Sequence, residues 1–221
     1  MELAEIHQNL QQSDYQFRLK AIAALKEYPL TDALPLLQQH HTDPEFLVRT
    51  FVARELSHFQ NDQSFAVLLE MMRHDNTPNV RAEAANSLSL FGVVSAAHLV
   101  TTFVQDDHWL VRRSILAALC DMNCHAEVWE VAQEAIGNLE DAATRETAIG
   151  ALGSLAGSAQ ETAAIGLLQT LVTSGDWRTR QQVAYALKAF DRSDCRELLM
   201  QLRQDSDHRV VGAALEELLP E

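Results

Sequence analysis

The residues with the most chemical potential in this 221-residue chain are Cys120, Cys124 and His125, grouped as Cys120-Asp-Met-Asn-Cys-His125. Thiolates and imidazoles are soft or borderline donors, so the group is a weak candidate for a metal, an iron-sulfur centre or haem. The spacing opposes each: haem attachment uses two residues between cysteines, not three, and zinc needs a second ligand pair that the distant Cys195 does not supply. The expectation is therefore no metal and two small side chains buried at a helix end. His40 and His41, ahead of Asp43, and His74, beside Asp75, are the other conspicuous donors. Adjacent residues on a helix diverge by about 100°, so a chelating pair is disfavoured and a capping or turn role is expected. No Ser, His and carboxylate arrangement and no glycine-rich phosphate loop stands out, and no catalytic residue is assigned.

The elements that must position these residues are helical. Glycine occurs 8 times and proline 5, while apolar residues recur every three or four positions along nearly the whole chain. An internal repeat runs through arginines 18, 49, 81, 112, 145 and 180, each followed seven residues later by Leu25, Leu56, Leu88, Leu119, Leu152 or Leu187. Three residues after each arginine stands Ala21, Val52, Ala84, Ile115, Ala148 or Val183, with a further apolar residue next to it, which makes one helical stripe. Asp14, Asp43, Asp75, Asp106, Asp141 and Asp176 precede the arginines by four to six positions, where they can cap the helix. A seventh unit, Asp205 through Leu218, keeps the frame with Val211 at the arginine position. Second amphipathic segments fall near 2–11, 32–41, 61–74, 94–105, 125–138, 159–173 and 193–204. Each repeat is thus a predicted helical hairpin, and stacked hairpins share a core that none can close alone, so one domain over 1–221 is expected. Gly153 and Gly157 mark an expected loose turn after the fifth repeat.

The phrase Asp106-Asp-His-Trp-Leu-Val-Arg-Arg-Ser-Ile-Leu-Ala-Ala-Leu119 is echoed by Asp75-Asn-Thr-Pro-Asn-Val-Arg-Ala-Glu-Ala-Ala-Asn-Ser-Leu88. Both resemble the short HEAT-like repeat of the phycobilisome-lyase (bilin lyase E/F-type) family, and the resemblance covers essentially the whole chain. It implies an all-α solenoid, a right-handed superhelix of about seven hairpins. It also implies that aspartate and arginine form a ladder tying adjacent repeats, which gives Arg18, Arg49, Arg81, Arg112, Arg145 and Arg180 a structural role. The same repeat occurs in bilin lyase subunits, in adaptors for phycobilisome breakdown and in partners of iron-sulfur carriers. The HEAT-like metal hydroxylases carry His-Glu dipeptides as iron ligands, and this sequence has none.

Acidic residues outnumber basic ones 31 to 17, a formal charge of -14 that repels phosphate backbones, so nucleic acid is disfavoured as a partner and a basic-grooved DNA glycosylase is opposed. No apolar run reaches the roughly 18 residues of a membrane span, the start lacks a signal-like order, and three cysteines suit a reducing compartment; a cytoplasmic location is expected.

A partner surface can be read off the repeat. Three positions before the arginines stand Tyr15, Phe46, Pro78, Trp109, Ala142 and Trp177, four of them aromatic in a chain with 6% aromatic residues. Aromatic and arginine side chains dominate binding hot spots, so Phe46, Phe51, Arg54, Trp109, Arg113, Trp177 and Tyr185 are predicted to meet a protein partner on the concave, arginine-helix side. The expected function is a scaffold or adaptor holding a folded protein, such as a phycobiliprotein or another photosynthetic or iron-sulfur component. The alternatives are a phycobilin lyase subunit or related chaperone, with bilin stacked on the aromatics and its propionates on arginines, and an adaptor for an iron-sulfur carrier.

Overall fold

The positions three, four and seven residues after each repeat arginine are completely buried in all six repeats: Ala21, Ile22 and Leu25; Val52, Ala53 and Leu56; Ala84, Ala85 and Leu88; Ile115, Leu116 and Leu119; Ala148, Ile149 and Leu152; Val183, Ala184 and Leu187. One stripe of a 3.6-residue helix is thereby removed from water at regular intervals, each large side chain contributing about 1.5–3 kcal/mol. A computed structural model describes residues 1–138 and 141–215. Among these residues there are fourteen α-helices and no strand, and the fold is an all-α solenoid of paired helices.

The pairs are α1 (Leu3–Leu10) with α2 (Tyr15–Ala24), α3 (Leu30–His40) with α4 (Phe46–Leu56), α5 (Asp62–His74) with α6 (Pro78–Ser89), and α7 (Ala96–Gln105) with α8 (Trp109–Asp121). They continue with α9 (His125–Gly137) and α10 (Ala142–Ala151), α11 (Glu161–Leu171) and α12 (Trp177–Leu187), and α13 (Ser193–Leu202) and α14 (His208–Leu215). The even-numbered helices carry the repeat arginines. Their starts are set locally: Asp14, Asp141 and Asp176 accept the amides of Gln16, Thr144 and Arg178, and Pro78 opens α6, where its missing N–H costs nothing. Short 3-10 turns follow α2, precede α7 and follow α10.

The chain falls into two units, residues 1–118 and 119–221. In the first, α2 packs on α4 and α4 on α6 to form an inner layer, with α1, α3 and α5 against their hairpin partners as an outer one. In the second, α10 packs on α12 and α12 on α14, with α9, α11 and α13 outside.

One sequence expectation changes here. Gly153 is buried in a close approach, where an added Cβ would stand 3.2 Å from the carbonyl oxygen of Ala186 on α12; the segment expected to be loose is tight at this point. Gly157, by contrast, adopts φ +75° in open space, the left-handed turn that glycine enters without steric cost. In the seventh hairpin Ala214 is buried but Leu215, which holds the place of an inner apolar residue, is 36% exposed; Leu218 lies outside the described residues.

Candidate functional site

What orders the inner helices is a set of arginine–aspartate contacts that reach from one hairpin to the next. In the first unit Arg18 donates through Nε and Nη2 to the two carboxylate oxygens of Asp43 at 2.8 and 2.9 Å. Arg49 does the same to Asp75 at 2.6 and 2.9 Å, and Arg81 to Asp106 at 2.6 and 3.1 Å. In the second unit Arg180 binds Asp205 at 2.6 and 2.8 Å. Such forked pairs are the strongest geometry a guanidinium offers. The third arginine nitrogen reaches backward, Nη1 of Arg49, Arg81 and Arg180 donating to the carbonyls of Asp43, Asp75 and Ser174. Each aspartate also holds its own turn, with Asp43, Asp75, Asp106 and Asp205 accepting the amides of Glu45, Thr77, His108 and Asp207.

The protonation equilibria follow. Burial alone would raise the Asp43 carboxyl, but Arg18 and the Glu45 amide hold it below the ordinary carboxylate range. The hydrogen bond from Arg180 lowers Asp205 in the same direction. Arg112 is 95% buried and lays its guanidinium over Phe103, 4.5 Å from the ring centroid. Arg145 departs from the pattern. Its Nε has no hydrogen-bond partner among the described residues, and Asp176 turns instead to the Arg178 amide. The rung aspartates Asp43, Asp75, Asp106 and Asp205 all stand six residues before the next arginine position, and in this repeat that place is held by Ser174, which has no carboxylate to offer.

Against this frame the predicted partner residues divide by unit. In the first, Phe46 (38% exposed) opens α4 and Trp109 (46% exposed) opens α8. Trp109 stacks on His108 with ring centroids 5.8 Å apart, and the guanidinium carbon of Arg113 lies 5.6 Å from the Trp109 ring centroid. Phe51 is half-buried beneath Arg54, whose guanidinium lies 5.1 Å from the ring centroid. Arg54 is not a free cation: Nε and Nη2 bind the Glu83 carboxylate of α6 at 2.8 and 3.3 Å, which raises the guanidinium pKa and ties α4 to α6. In the second unit Trp177 and Tyr185 both lie on α12. Tyr185 is 40% exposed, but Trp177 is half-buried, covered by Arg209 at 3.3 Å and approached by Arg178 at 4.7 Å from the ring centroid.

The chemistry-bearing cluster opens no site. Burial raises the thiols of Cys120, Cys124 and Cys195, the last to about 11, so none is poised as a thiolate. Cys120 accepts the Ser154 hydroxyl at 3.6 Å, and Cys124 sits just ahead of α9. Among the described residues no three His, Cys, Asp or Glu side chains converge to hold a metal. His41 closes α3 by donating Nδ1–H to the Gln38 carbonyl at 2.6 Å, and His40 stands 3.6 Å from Asp43. A cleft of about 390 Å³ beside these turns is lined by His41, Thr42, Glu70, His74 and Asn76.

Sequence reasoning passed over Glu55. It is 4% exposed on α4, its Oε2 has no hydrogen-bond partner among the described residues, with His58 Nε2 3.6 Å away, and burial raises its carboxyl pKa. The signal was present: six residues after the repeat arginine the other repeats carry Ala24, Ser87, Ala118, Ala151 and Ala186, all small.

Comparison with known proteins returns the architecture. The HEAT repeats family matches residues 3–89. No curated protein sequence matches. Among solved structures, the complex of CpcE and CpcF of phycocyanin lyase from a Nostoc species is similar at 19% identity, over 99% of this chain and 95% of that one, with a TM-score of 0.53. An engineered protein is similar at 18% identity over 99% and 68% of the two chains, with a TM-score of 0.51. Human deoxyhypusine hydroxylase aligns at 17% identity over 98% and 94%, with a TM-score of 0.47. No helix among the described residues is long and apolar enough to cross a membrane.

Proposed function

We propose that this HEAT-repeat solenoid is a protein-binding scaffold that holds a folded partner on the arginine-bearing helices of its first unit. The observation that carries the reading is Trp109, a large aromatic side chain left 46% exposed at the start of the arginine-bearing helix α8, with Arg113 beside it and Phe46 open on α4. An exposed tryptophan has no folding reason to stay uncovered, and Trp with Arg is the pairing that most often anchors an interface. Arg54 and Phe51 extend the surface, though Arg54 offers a partner only the part of its guanidinium that Glu83 leaves open. The partner is a cytoplasmic protein, and a phycobiliprotein is the first to test.

Quantitative capture from the native cell tests this. Trp109→Ala with Arg113→Ala should weaken capture at least tenfold, about 1.4 kcal/mol, with circular dichroism unchanged. Glu70→Lys, an exposed change on outer helix α5, should leave capture intact; the reverse pattern refutes the inner-face assignment.

A second reading, a phycobilin lyase subunit, has the fold likeness to the CpcE and CpcF chains behind it. Added bilin would then acquire a shifted, intensified visible absorbance with the purified chain, and Trp109→Ala would abolish the shift. An unchanged bilin spectrum removes that reading and leaves the scaffold reading standing.

A further inference from the structure

Between Glu83 and Asp106 the chain carries no charged residue for 22 positions, although 22% of all its residues are charged. This run ends in α7, and it exposes Leu90 (58%), Val93 (76%), Val94 (62%) and Val104 (60%), which with Met200 are the most exposed large hydrophobic side chains among the described residues. Ala97, Thr101 and Val104 stand at intervals of four and three on one face of α7, while Ala96, Leu99, Thr102 and Phe103 are buried on the other, and Leu90, Val93 and Val94 are exposed on the turn that leads into the helix. The one hydroxyl in the exposed stripe is already spent: Thr101 donates to the Ala97 carbonyl at 2.8 Å. Covering the stripe therefore strands no polar group, and the small Ala97 side chain lets another helix come close. Loops and helix faces that serve only as surface do not keep four large aliphatic groups in water without a polar neighbour.

We propose that the outer face of α7, with the Leu90–Val94 turn, is the contact between two copies of this chain, packed α7 against α7 about a two-fold axis. Charge selects this occupant. Each copy carries a net charge of -14, and the open faces of other outer helices bear acids, such as Asp32 on α3, Glu70 on α5, Glu130 on α9 and Glu197 on α13. Two copies meeting there would oppose like charges. The open face of α11 is uncharged but polar, with Thr162, Gln169 and Thr170. The α7 stripe itself carries no charged group, and the cation that flanks it, Arg73 of α5, is held by His98 at 3.1 Å, so the stripe is matched by another uncharged apolar helix. The same stripe on a second copy is such a helix, present at the same concentration, and a two-fold contact needs one self-complementary patch. The contact uses the outer side of the first unit and is independent of the inner-face reading.

Sedimentation velocity of the full chain over about 1 to 300 µM tests it, a range that spans micromolar dissociation constants. The weight-average mass should climb toward twice that of the chain. Val94→Glu with Val104→Glu places like charges across the two-fold axis and should raise the dissociation constant at least tenfold, with helicity and melting unchanged. As a second readout that needs no disruptive change, Val104→Cys treated with a short bis-maleimide should give a crosslinked dimer at concentrations where the parent chain, with its three native cysteines, gives none. A parent that stays monomeric throughout, a dimer indifferent to the glutamates, or a Val104→Cys chain that fails to crosslink overturns the proposal.

Discussion

The guanidinium carbon of Arg209, on α14, lies 3.3 Å from the ring centroid of Trp177, on α12, while the Arg209 nitrogens bind both carboxylate oxygens of Asp207. The repeat places Trp177 and Trp109 at one position, yet their fates differ: Trp177 is half-buried beneath Arg209 of the last hairpin and Trp109 is open. Trp177→Ala should cost about 1–2 kcal/mol of stability and speed amide exchange in α14, because Arg209 loses its platform. Trp109→Ala should stay within about 0.5 kcal/mol, as surface changes do. Urea midpoints that fall equally for both would show that Arg209 holds nothing in place.

The ladder arginines should not be equivalent. Arg49 makes a forked pair with Asp75, further bonds to Asn76 and Thr77, and one to the Asp43 carbonyl, so Arg49→Ala should destabilise by about 3 kcal/mol. Arg54→Ala, half-exposed in its pair with Glu83, should cost below about 1 kcal/mol. Arg145→Ala should fall nearer the second value than the first, since no aspartate is lost with it. Chemical denaturation of the three variants decides the order.

Acid and base should act on different carboxylates. Asp43 and Asp205 are held below their unfolded values, so their stabilisation is present above roughly pH 4 and is lost as pH falls through their folded values. Glu55 has the opposite sign. Burial raises its carboxyl, so its favourable contribution is present below the unfolded value, roughly pH 4.3, and is lost as pH rises through the folded one. Glu55→Gln should therefore melt about 2–4 °C above the parent at pH 8, about 1 kcal/mol, with the gap closing toward pH 4. A gap independent of pH would mean that the charge on Glu55 is not what the fold resists.

Two glycines should respond oppositely to a side chain. Gly153→Val drives a branched group against Ala186 and Ala189 and should cost about 1–3 kcal/mol. Gly166, inside α11, has nothing within 4 Å of an added Cβ, and Gly166→Ala should stabilise by about 0.5–1 kcal/mol. Thermal melts of the pair read both signs at once.

The fold was legible because one physical constraint writes it repeatedly. Each hairpin must bury the residues three, four and seven places after its arginine, so period and stripe are visible without any partner element, and the positions so marked are all fully buried. The aspartate pairings were harder to see. The acid nearest each arginine in sequence looks like its own helix cap, which it is, while the arginine it binds belongs to the hairpin before. Spatial neighbours 25 residues away leave no local trace. The proposed partner residues were chosen by residue type and not by exposure: the repeat position marks Trp109 and Trp177 alike, and Arg209 of α14 lies over Trp177 alone. Glu55 and the charge-free run before Asp106 were both visible as breaks in composition, but a search for what repeats passes over what occurs once.

Each ladder aspartate binds backward to the preceding arginine and forward to its own turn, so the number of residues between rungs acts as a ruler. A residue inserted into α3, α5 or α7 would carry the aspartate out of register with the arginine it binds. Between Arg145 and Asp176 there is no rung to violate, and the turn around Gly157 stands in open space. That stretch is where the repeat can change length without changing its neighbours, and so where a tag, a label or a second domain is best spliced into the chain.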